Sequence, residues 1–217
     1  MNKTFKAFLS KQPQTAFYML GTLLALASPA AAVPVNVTQG KAVTATGAIG
    51  VISAAGLGFG FGDATAFPPA PLSSLVDDVY RPEGTYWQDG TVWWDERNPG
   101  SANNVIEIDL IGRFLISFLS IQADNNDFYR ISVRDHFGVW SDLVDAFPAG
   151  GAGMRERAGA FTPFEATGFR IDAFGGDEFY SVSEFRAMGV AVPEPASLAL
   201  VGIGLLGLGA LRRRKTT

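Results

Sequence analysis

Few residues in this chain could support acid–base catalysis. Its one histidine, His136, lies between Asp135 and Phe137, and cysteine is absent. An activated nucleophile needs a base and an orienting group, and no Gly-x-Ser-x-Gly motif accompanies His136. Glycosidases use paired carboxylates, such as those at 95–96 and 177–178, but any acidic surface offers such pairs. We therefore interpret His136 as a turn residue or a partner of Asp135, and we predict a protein without catalytic activity.

Aromatic and arginine side chains indicate a different chemistry, which is the binding of sugars. Aromatic rings stack on the C–H faces of sugars, and arginine donates several hydrogen bonds in a fixed geometry. We predict that the ligand-binding side chains, all of them exposed, are Trp93, Trp140, Arg155, Arg157 and Tyr180. Tyr86 and Trp87 are further candidates. The alternatives are that the tryptophans belong to the core and that the arginines form surface ion pairs.

Two further patterns bear on these candidates. Trp93 and Trp94 are adjacent, so on a strand one of them is expected to face the solvent and the other the core. The run 124–127, Asp-Asn-Asn-Asp, offers the oxygen ligands that Ca²⁺ prefers in irregular loops. It lacks the spacing of an EF-hand, and Asn and Asp also favour β-turns. We interpret it as a turn, with a calcium site as the alternative.

The elements that must position these residues are short strands. No amphipathic helix is evident between residues 72 and 189, and turn signals such as Asp89-Gly90 and Gly150-Gly151 recur there. Runs rich in β-branched and aromatic residues cover 91–94, 105–110, 114–122, 128–133, 169–173 and 180–188. The pattern predicts an all-β domain over 72–189, an antiparallel β-sandwich of the jelly-roll type with about eight strands.

The segment that precedes this domain has a different composition. Residues 33–71 are poor in charge and rich in Gly, Ala, Val and Pro, and Gly alternates with large apolar residues over 56–62. Alternation favours a strand, but glycine weakens any strand that contains it. The prolines at 68, 69 and 71 mark the best candidate boundary. We predict a linker here, with an additional strand as the alternative.

Charge excludes one class of partner. Residues 33–188 contain ten Lys and Arg against twenty Asp and Glu, a balance of −10. Binding to a phosphate backbone depends on Lys and Arg that neutralise it, so we expect no nucleic-acid partner. The absence of cysteine excludes disulfides, zinc–thiolate sites and a cysteine nucleophile.

The two ends of the chain carry export signals. Three lysines, an apolar run at 16–27 and the alanines at 30–32 predict a helical signal peptide over 1–32, cleaved after Ala32. At the other end, Pro193, Glu194 and Pro195 precede sixteen uncharged residues at 196–211, and then Arg212, Arg213 and Arg214 follow. Such a run, with its basic stop, predicts a short hydrophobic helix that anchors the chain transiently in a membrane.

The order of features over 190–217 resembles the PEP-CTERM sorting signal. The residues that carry the resemblance are Pro193, Glu194, Pro195, Arg212, Arg213 and Arg214. The resemblance implies export across the inner membrane of a Gram-negative, exopolysaccharide-making bacterium. It further implies that an exosortase recognises the tail, and that the protein reaches the cell surface or the extracellular matrix.

The body has a second resemblance. VIEIDL at 105–110, FLSIQADNNDFYRISV at 118–133, Trp140 and the segment 166–189 resemble the discoidin, or coagulation-factor C-type, branch of the galactose-binding-like β-sandwich. It implies a structural calcium ion held by Asp78 and Glu184, which would join the two chain ends. It also implies binding of polysaccharide or glycoprotein in the envelope or biofilm. The alternatives are a structural matrix protein without a ligand site and, third, an extracellular glycan-active enzyme.

Overall fold

The computed structural model describes residues 32–52 and 67–193. Its elements are β1 (Val35–Asn36), β2 (Ala42–Ala45), a 3₁₀ helix (Leu72–Val76), β3 (Val92–Asp95), β4 (Val105–Ala123), β5 (Phe128–Arg134), β6 (Trp140–Ala146), β7 (Arg155–Phe174) and β8 (Phe179–Ala191). The predicted signal helix, the Gly-rich run at 56–62 and the apolar run at 196–211 lie outside the described residues. All pairings between the named strands are antiparallel, which confirms the predicted all-β class.

The two longest strands, β4 and β7, form a ribbon that serves both layers of the sandwich. They pair from Val105 opposite Asp172 to Ala123 opposite Arg155, with an irregularity between Asp109 and Phe114. Before that irregularity β4 also pairs with β2, and β7 pairs with β5, which continues to β6. Beyond it β4 pairs with β8, which holds β1 and β3. The bend therefore divides one continuous sheet into two packed layers.

The core lies between these layers and follows from the alternation of the strands. Along the first part of β4, Ile106, Ile108 and Leu110 are buried, whereas the residues between them point outward. Phe169 of β7 packs on Phe185 of β8 across the layers, with ring centroids 5.2 Å apart. Burial of each such side chain stabilises the fold by about 1.5–3 kcal/mol.

The folded body begins earlier than the predicted boundary at residue 72. Val35 pairs with Gly189, and Ala42–Ala45 pairs along β4, so part of the segment predicted as a linker is built into the sheet. The buried side chain of Val37 joins the main core. Two short strands thus lie within the segment predicted as a linker, whereas the alternating run 56–62, on which the alternative of an additional strand rested, lies outside the described residues. Composition could not reveal the first strand, because the partner of Val35 lies at the far end of the chain.

Candidate functional site

Four loops meet at one end of the sandwich, which we call the loop end: residues 81–90, 124–127, 147–154 and 175–178. The backbone N–H of Ala149 donates to the carbonyl of Asn125 at 2.8 Å, and that of Gly84 donates to the carbonyl of Met154 at 3.0 Å. Gly176 has a φ of +65°, and a Cβ there would overlap Oδ1 of Asp127. Backbone contacts therefore tie the loops together, and one of them requires glycine.

A small aromatic core supports the loop end from below. It consists of Ile52, Trp87, Trp93, Met154 and Phe179, apart from the main core. The ring centroid of Trp87 lies 5.5 Å from those of Trp93 and Phe179. These large side chains fix the backbone that carries the loops, since aromatic contacts dominate the packing of such clusters.

The prediction that one of the two adjacent tryptophans faces the solvent is wrong. Trp93 is buried in the small core, where its Nε1 donates to the carbonyl of Phe67 at 3.1 Å. Trp94 is buried in the main core, with its ring centroid 5.6 Å from that of Tyr180. Both faces of β3 are covered, so alternation along the strand exposes neither ring.

Tyr180 is also buried, so its predicted exposure is wrong. Its ring lies between those of Trp94 and Tyr129, with the centroid of Tyr129 at 6.4 Å. Its hydroxyl donates to the carbonyl of Gly175 at 3.0 Å. Tyr180 therefore holds the turn between β7 and β8 in place and offers no surface to a ligand.

Trp140 lies far from the other predicted site residues. It is the first residue of β6, at the end of the sandwich opposite the loop end, and a strand of this length covers about 20 Å. The guanidinium of Arg170 lies over its ring, 4.0 Å from the centroid, and that of Arg134 lies at 5.5 Å. The structure therefore does not bring Trp140 together with Arg155.

The two predicted arginines of β7 have different surroundings. Arg157 points inward, where its Nη1 donates to the carbonyl of Ala123 at 2.7 Å and its Nε to that of Phe147 at 3.1 Å. Arg155 is half-buried, with its side chain 29% exposed and Nη1 at 3.1 Å from Oε2 of Glu83. Of the two, only Arg155 is placed to meet a ligand.

Tyr86 exposes its aromatic ring at the loop end, as does Phe147 in the neighbouring loop. The side chain of Tyr86 is 42% exposed, and its ring centroid lies 5.9 Å from those of Trp87 and Phe67. Nearby, Asn125 donates from Nδ2 to the carbonyl of Gly151 at 2.8 Å, on the loop against which Arg155 packs. Sequence reasoning named Tyr86 among its candidates but missed Asn125 and Glu83, since no local pattern links them to Arg155.

Beneath these loops lie two buried carboxyl groups. Burial raises the pKa of Asp127 to about 8, and the carboxylates of Asp124 and Asp177 add to the effect. Burial likewise raises the pKa of Asp124 to about 6. Oδ1 of Asp127 has no hydrogen-bond partner. Within 32–52 and 67–193, no three His, Asp or Glu side chains are grouped so as to hold a metal ion.

The residues predicted to hold calcium do meet where the chain ends join. Glu184 is buried, and neither carboxylate oxygen has a hydrogen-bond partner; Nε of Arg186 lies 3.5 Å from Oε1. Burial raises the pKa of Glu184 to about 7; the guanidinium of Arg186 counteracts this, and the charge of Asp77 adds to it. Asp78 instead binds Nε of Arg186 at 2.8 Å and Nδ2 of Asn36 at 3.0 Å. The orphaned carboxylate of Glu184 fits a cation, whereas Oδ1 of Asp78 is already engaged.

The remaining candidates for catalysis are scattered. His136 lies in the exposed turn between β5 and β6, and its Nδ1 is 3.5 Å from Glu165 Oε2, so its acidic partner is Glu165 rather than Asp135. Asp95 is buried and pairs with Arg97 at 2.9 Å. Neither group lies beside the open ring of Tyr86.

Residues 191–215 match the family model described as the PEP-CTERM protein-sorting motif. The chain carries a PEP-CTERM sorting motif. This confirms the resemblance of the tail, and it indicates export and membrane-anchored sorting through an exosortase in a Gram-negative bacterium. The PEP-CTERM motif begins on the last residue of β8. In the part of the chain that the structure describes, no helix is long and apolar enough to cross a membrane.

Comparison with curated protein sequences finds no match. Among solved structures, the chain is similar to the family 32 CBM from C. perfringens NanJ in complex with galactose, at 15% identity and a TM-score of 0.49, over 72% of this chain and 98% of that one. It is similar to a Streptococcus pneumoniae fucose binding module at 13% identity and a TM-score of 0.44, over 71% and 94%. It is also similar to an f-lectin from striped bass serum at 14% identity and a TM-score of 0.49, over 75% and 51%.

Proposed function

We propose that this exported protein binds extracellular polysaccharide or glycoprotein at its loop end and does not catalyse a reaction on this ligand. The observation that carries the proposal is the open ring of Tyr86, beside loops that present Glu83, Asn125 and Arg155. A sugar ring has C–H faces, on which an aromatic ring can stack, and hydroxyl groups, which planar polar side chains can hydrogen-bond.

The rigidity of the Tyr86 ring supports this function. The ring packs on Phe67 and Trp87, and the small aromatic core lies beneath them. A ring that is already held in place loses little conformational freedom when a sugar stacks on it, so more of the contact energy contributes to affinity.

The polar groups around the ring are equally constrained. Glu83 accepts the backbone N–H of Glu156 at 3.0 Å and pairs with Arg155. Burial raises the pKa of Glu83, but these hydrogen bonds outweigh it and lower the pKa below its ordinary value. The pair therefore stays ionised, and its unused donors and acceptors can meet sugar hydroxyls in a fixed geometry.

The acidic balance of the body narrows the class of ligand. A body with a net charge of −10 repels polyanions at low ionic strength. We therefore expect a neutral or amino-substituted glycan in preference to one rich in uronic acid or sulfate.

We also propose that a structural calcium ion binds Glu184. The buried, orphaned carboxylate and the adjacent Asp77 would supply oxygen ligands. Bound there, calcium would neutralise these charges and link the last strand to the loop after the 3₁₀ helix. Asp78, which the discoidin resemblance implied as a ligand, would act through Arg186 and Asn36 instead.

We propose that the tail anchors the protein in the inner membrane until an exosortase cleaves the tail near Pro193, Glu194 and Pro195. The product then reaches the cell surface or the exopolysaccharide matrix. A PEP-CTERM motif at 191–215 supports the sorting step.

A glycan array followed by calorimetry on the purified full chain tests the binding function. We expect saturable binding that falls about 10- to 100-fold in Tyr86→Ala, which corresponds to a loss of about 1.4–2.8 kcal/mol, as is typical of a lost stacking ring. Phe137→Ala, an exposed ring at the opposite end, should bind as the unmodified protein does.

The other outcomes point to the two alternative functions. Concentration-dependent self-association without glycan binding would establish a structural matrix protein. Release of reducing ends from a glycan, abolished by substitution of a carboxylate, would establish an enzyme. Either result would overturn the proposal.

A further inference from the structure

The end of the sandwich opposite the loop end displays large apolar side chains to solvent. Phe137 is 79% exposed, Ile111 is 76% exposed and Val139 is 60% exposed. We call this surface the tail end; it comprises the irregular corner of β4 at 110–113, the turn at 135–139 and the end of β8. Clustered exposed apolar residues on a folded domain mark a contact surface.

These segments are neighbours in the structure. Gly168 of β7 pairs with Asp109 on one side and Arg134 on the other, so the corner of β4 and the β5–β6 turn lie side by side. Oε2 of Glu165 connects them, at 2.7 Å from Nη2 of Arg113 and 3.5 Å from Nδ1 of His136. The apolar residues therefore belong to one surface.

The backbone is strained at Ile111, and in the turn at 135–139 it is held by hydrogen bonds. Ile111 has a φ of +50°, a left-handed conformation that is a genuine outlier for a β-branched residue, yet its side chain packs on little of the protein. In the turn, Oδ1 of Asp135 accepts the backbone N–H groups of Phe137 at 2.8 Å and Val139 at 2.9 Å. Strain at an exposed apolar residue indicates that the residue serves a contact with another molecule and does not stabilise the fold.

The chain leaves the folded body at this same surface. The backbone N–H of Val192 donates to the carbonyl of Arg113 at 2.8 Å, immediately beyond the end of β8. The uncharged run of the sorting tail begins at Ala196. Val192 and Ala196 are four residues apart, a distance of at most about 14 Å when the chain is fully extended. A membrane entered by that run therefore lies within this reach of the tail end.

The charge at the tail end also suits a membrane. The cationic and anionic side chains around it balance; they are Lys41, Arg113 and Arg134 against Asp109, Asp135 and Glu165. The whole body, by contrast, carries −10. An anionic bilayer therefore repels the tail end less than it repels the acidic body as a whole.

We infer that the tail end is a membrane-contacting surface, on which Phe137, Val139 and Ile111 enter the lipid–water interface while the tail anchors the chain. Apolar side chains of this kind bind the interface by burying area at the headgroup boundary. The inference rests on the proposed anchoring by the tail. The loop end, about 20 Å away along β6, then faces away from the bilayer and toward the matrix.

Single-cysteine labelling of the full chain tests this inference, because the natural sequence has no cysteine. Phe137→Cys and, as a matched control, Phe147→Cys are labelled with an environment-sensitive fluorophore. Phe147 is 65% exposed at the loop end. The labelled chains are reconstituted into vesicles of phosphatidylethanolamine and phosphatidylglycerol with brominated acyl chains. We expect a blue shift and quenching at position 137 and an unchanged, aqueous spectrum at 147.

A third probe separates two kinds of failure. Gly204→Cys, inside the apolar run, reports insertion of the tail. Quenching at 204 with equal, aqueous spectra at 137 and 147 would overturn the membrane-contacting surface alone. Absence of quenching at 204 would overturn it together with the proposed anchoring, and glycan binding would be unaffected.

Ile111→Asn tests the strained residue, since Asn adopts the left-handed region more readily than Ile. We expect an unchanged or higher melting temperature together with a weaker response of the probe at 137. An unchanged response of the probe at 137 would show that Ile111 does not contact the membrane, and it would overturn the proposal as stated.

Discussion

The guanidinium of Arg157 donates to the carbonyl of Ala123 across the β4–β7 ribbon, with 2.7 Å between Nη1 and the oxygen. The same group also donates to the carbonyls of Asp124 and Phe147. One half-buried side chain thus satisfies backbone groups from two loops, which explains why this arginine is unavailable to a ligand.

Arg157→Ala should therefore destabilise the protein, whereas Arg155→Ala should not. Loss of Arg157 leaves carbonyls without donors, and we expect the free energy of unfolding to fall by about 2–4 kcal/mol. Loss of the half-exposed Arg155–Glu83 pair should cost less than about 1 kcal/mol. Urea denaturation of both variants measures the difference. Equal stability of the two would contradict the assignment of Arg157 as structural.

Trp93→Ala provides a test of the small aromatic core. Deletion of a buried tryptophan leaves a cavity, and we expect a loss of about 3–5 kcal/mol in unfolding free energy. Tyr86→Ala, the open ring beside it, should cost about 1 kcal/mol or less, as for an ordinary surface substitution. Thermal and urea denaturation measure both. A stable Trp93→Ala variant with impaired glycan binding would show that this ring does reach the ligand.

Gly176→Ala should destabilise the loop end more than Gly138→Ala does. Both glycines have positive φ, +65° and +85°, so both substitutions strain the backbone by about 1 kcal/mol. Only at Gly176 does the new Cβ meet Oδ1 of Asp127; around Gly138 there is open space. We expect an additional loss of about 1–3 kcal/mol at Gly176, measured by chemical denaturation. Equal losses would mean that the loop moves freely away from Asp127.

Stability should fall as the pH rises from about 4 to about 8, because Asp127 has a raised pKa in the folded state. The folded protein retains a proton that the unfolded chain has already released, so the stabilisation is complete below the unfolded pKa. It is lost as the pH passes up toward the folded pKa. Melting temperatures across this range should decline in the unmodified protein and decline less in Asp127→Asn.

Asp142→Asn, an exposed carboxylate of β6, is the matched control for that titration. It should leave the slope of melting temperature against pH unchanged. A slope in Asp127→Asn equal to that of the control would mean that the buried carboxyl does not retain its proton.

Calcium, if bound at Glu184, should raise the melting temperature, because a ligand that binds only the folded state stabilises it. Excess calcium at about 100 times its dissociation constant would add about 2.7 kcal/mol, and EDTA should reverse the gain. Glu184→Gln should abolish the response, whereas Asp124→Asn at the loop end should retain it. A melting temperature that changes with neither calcium nor EDTA would contradict the proposal that the protein binds calcium.

How much could be predicted from the sequence depended on the range of the forces involved. Alternation in β4 follows from local side-chain preference, so Ile106, Ile108 and Leu110 could be assigned to a buried face in advance. The sorting tail is a contiguous string, so Pro193, Glu194 and Pro195 identified it without a fold. The linker over 33–71 was partly wrong, because Val35 pairs with Gly189, which no local composition reports.

The sequence by itself thus determined the all-β class, the acidic body and the sorting address, since each is written in residue type and short-range order. Only the tertiary structure decided which aromatic rings are open. Trp93 and Tyr180 are buried because a second layer or a small core covers them, and Tyr86 is not. Likewise, only strand pairing joins Arg155 to Glu83 and separates both from Trp140, because contacts between distant segments arise from packing rather than from spacing along the chain.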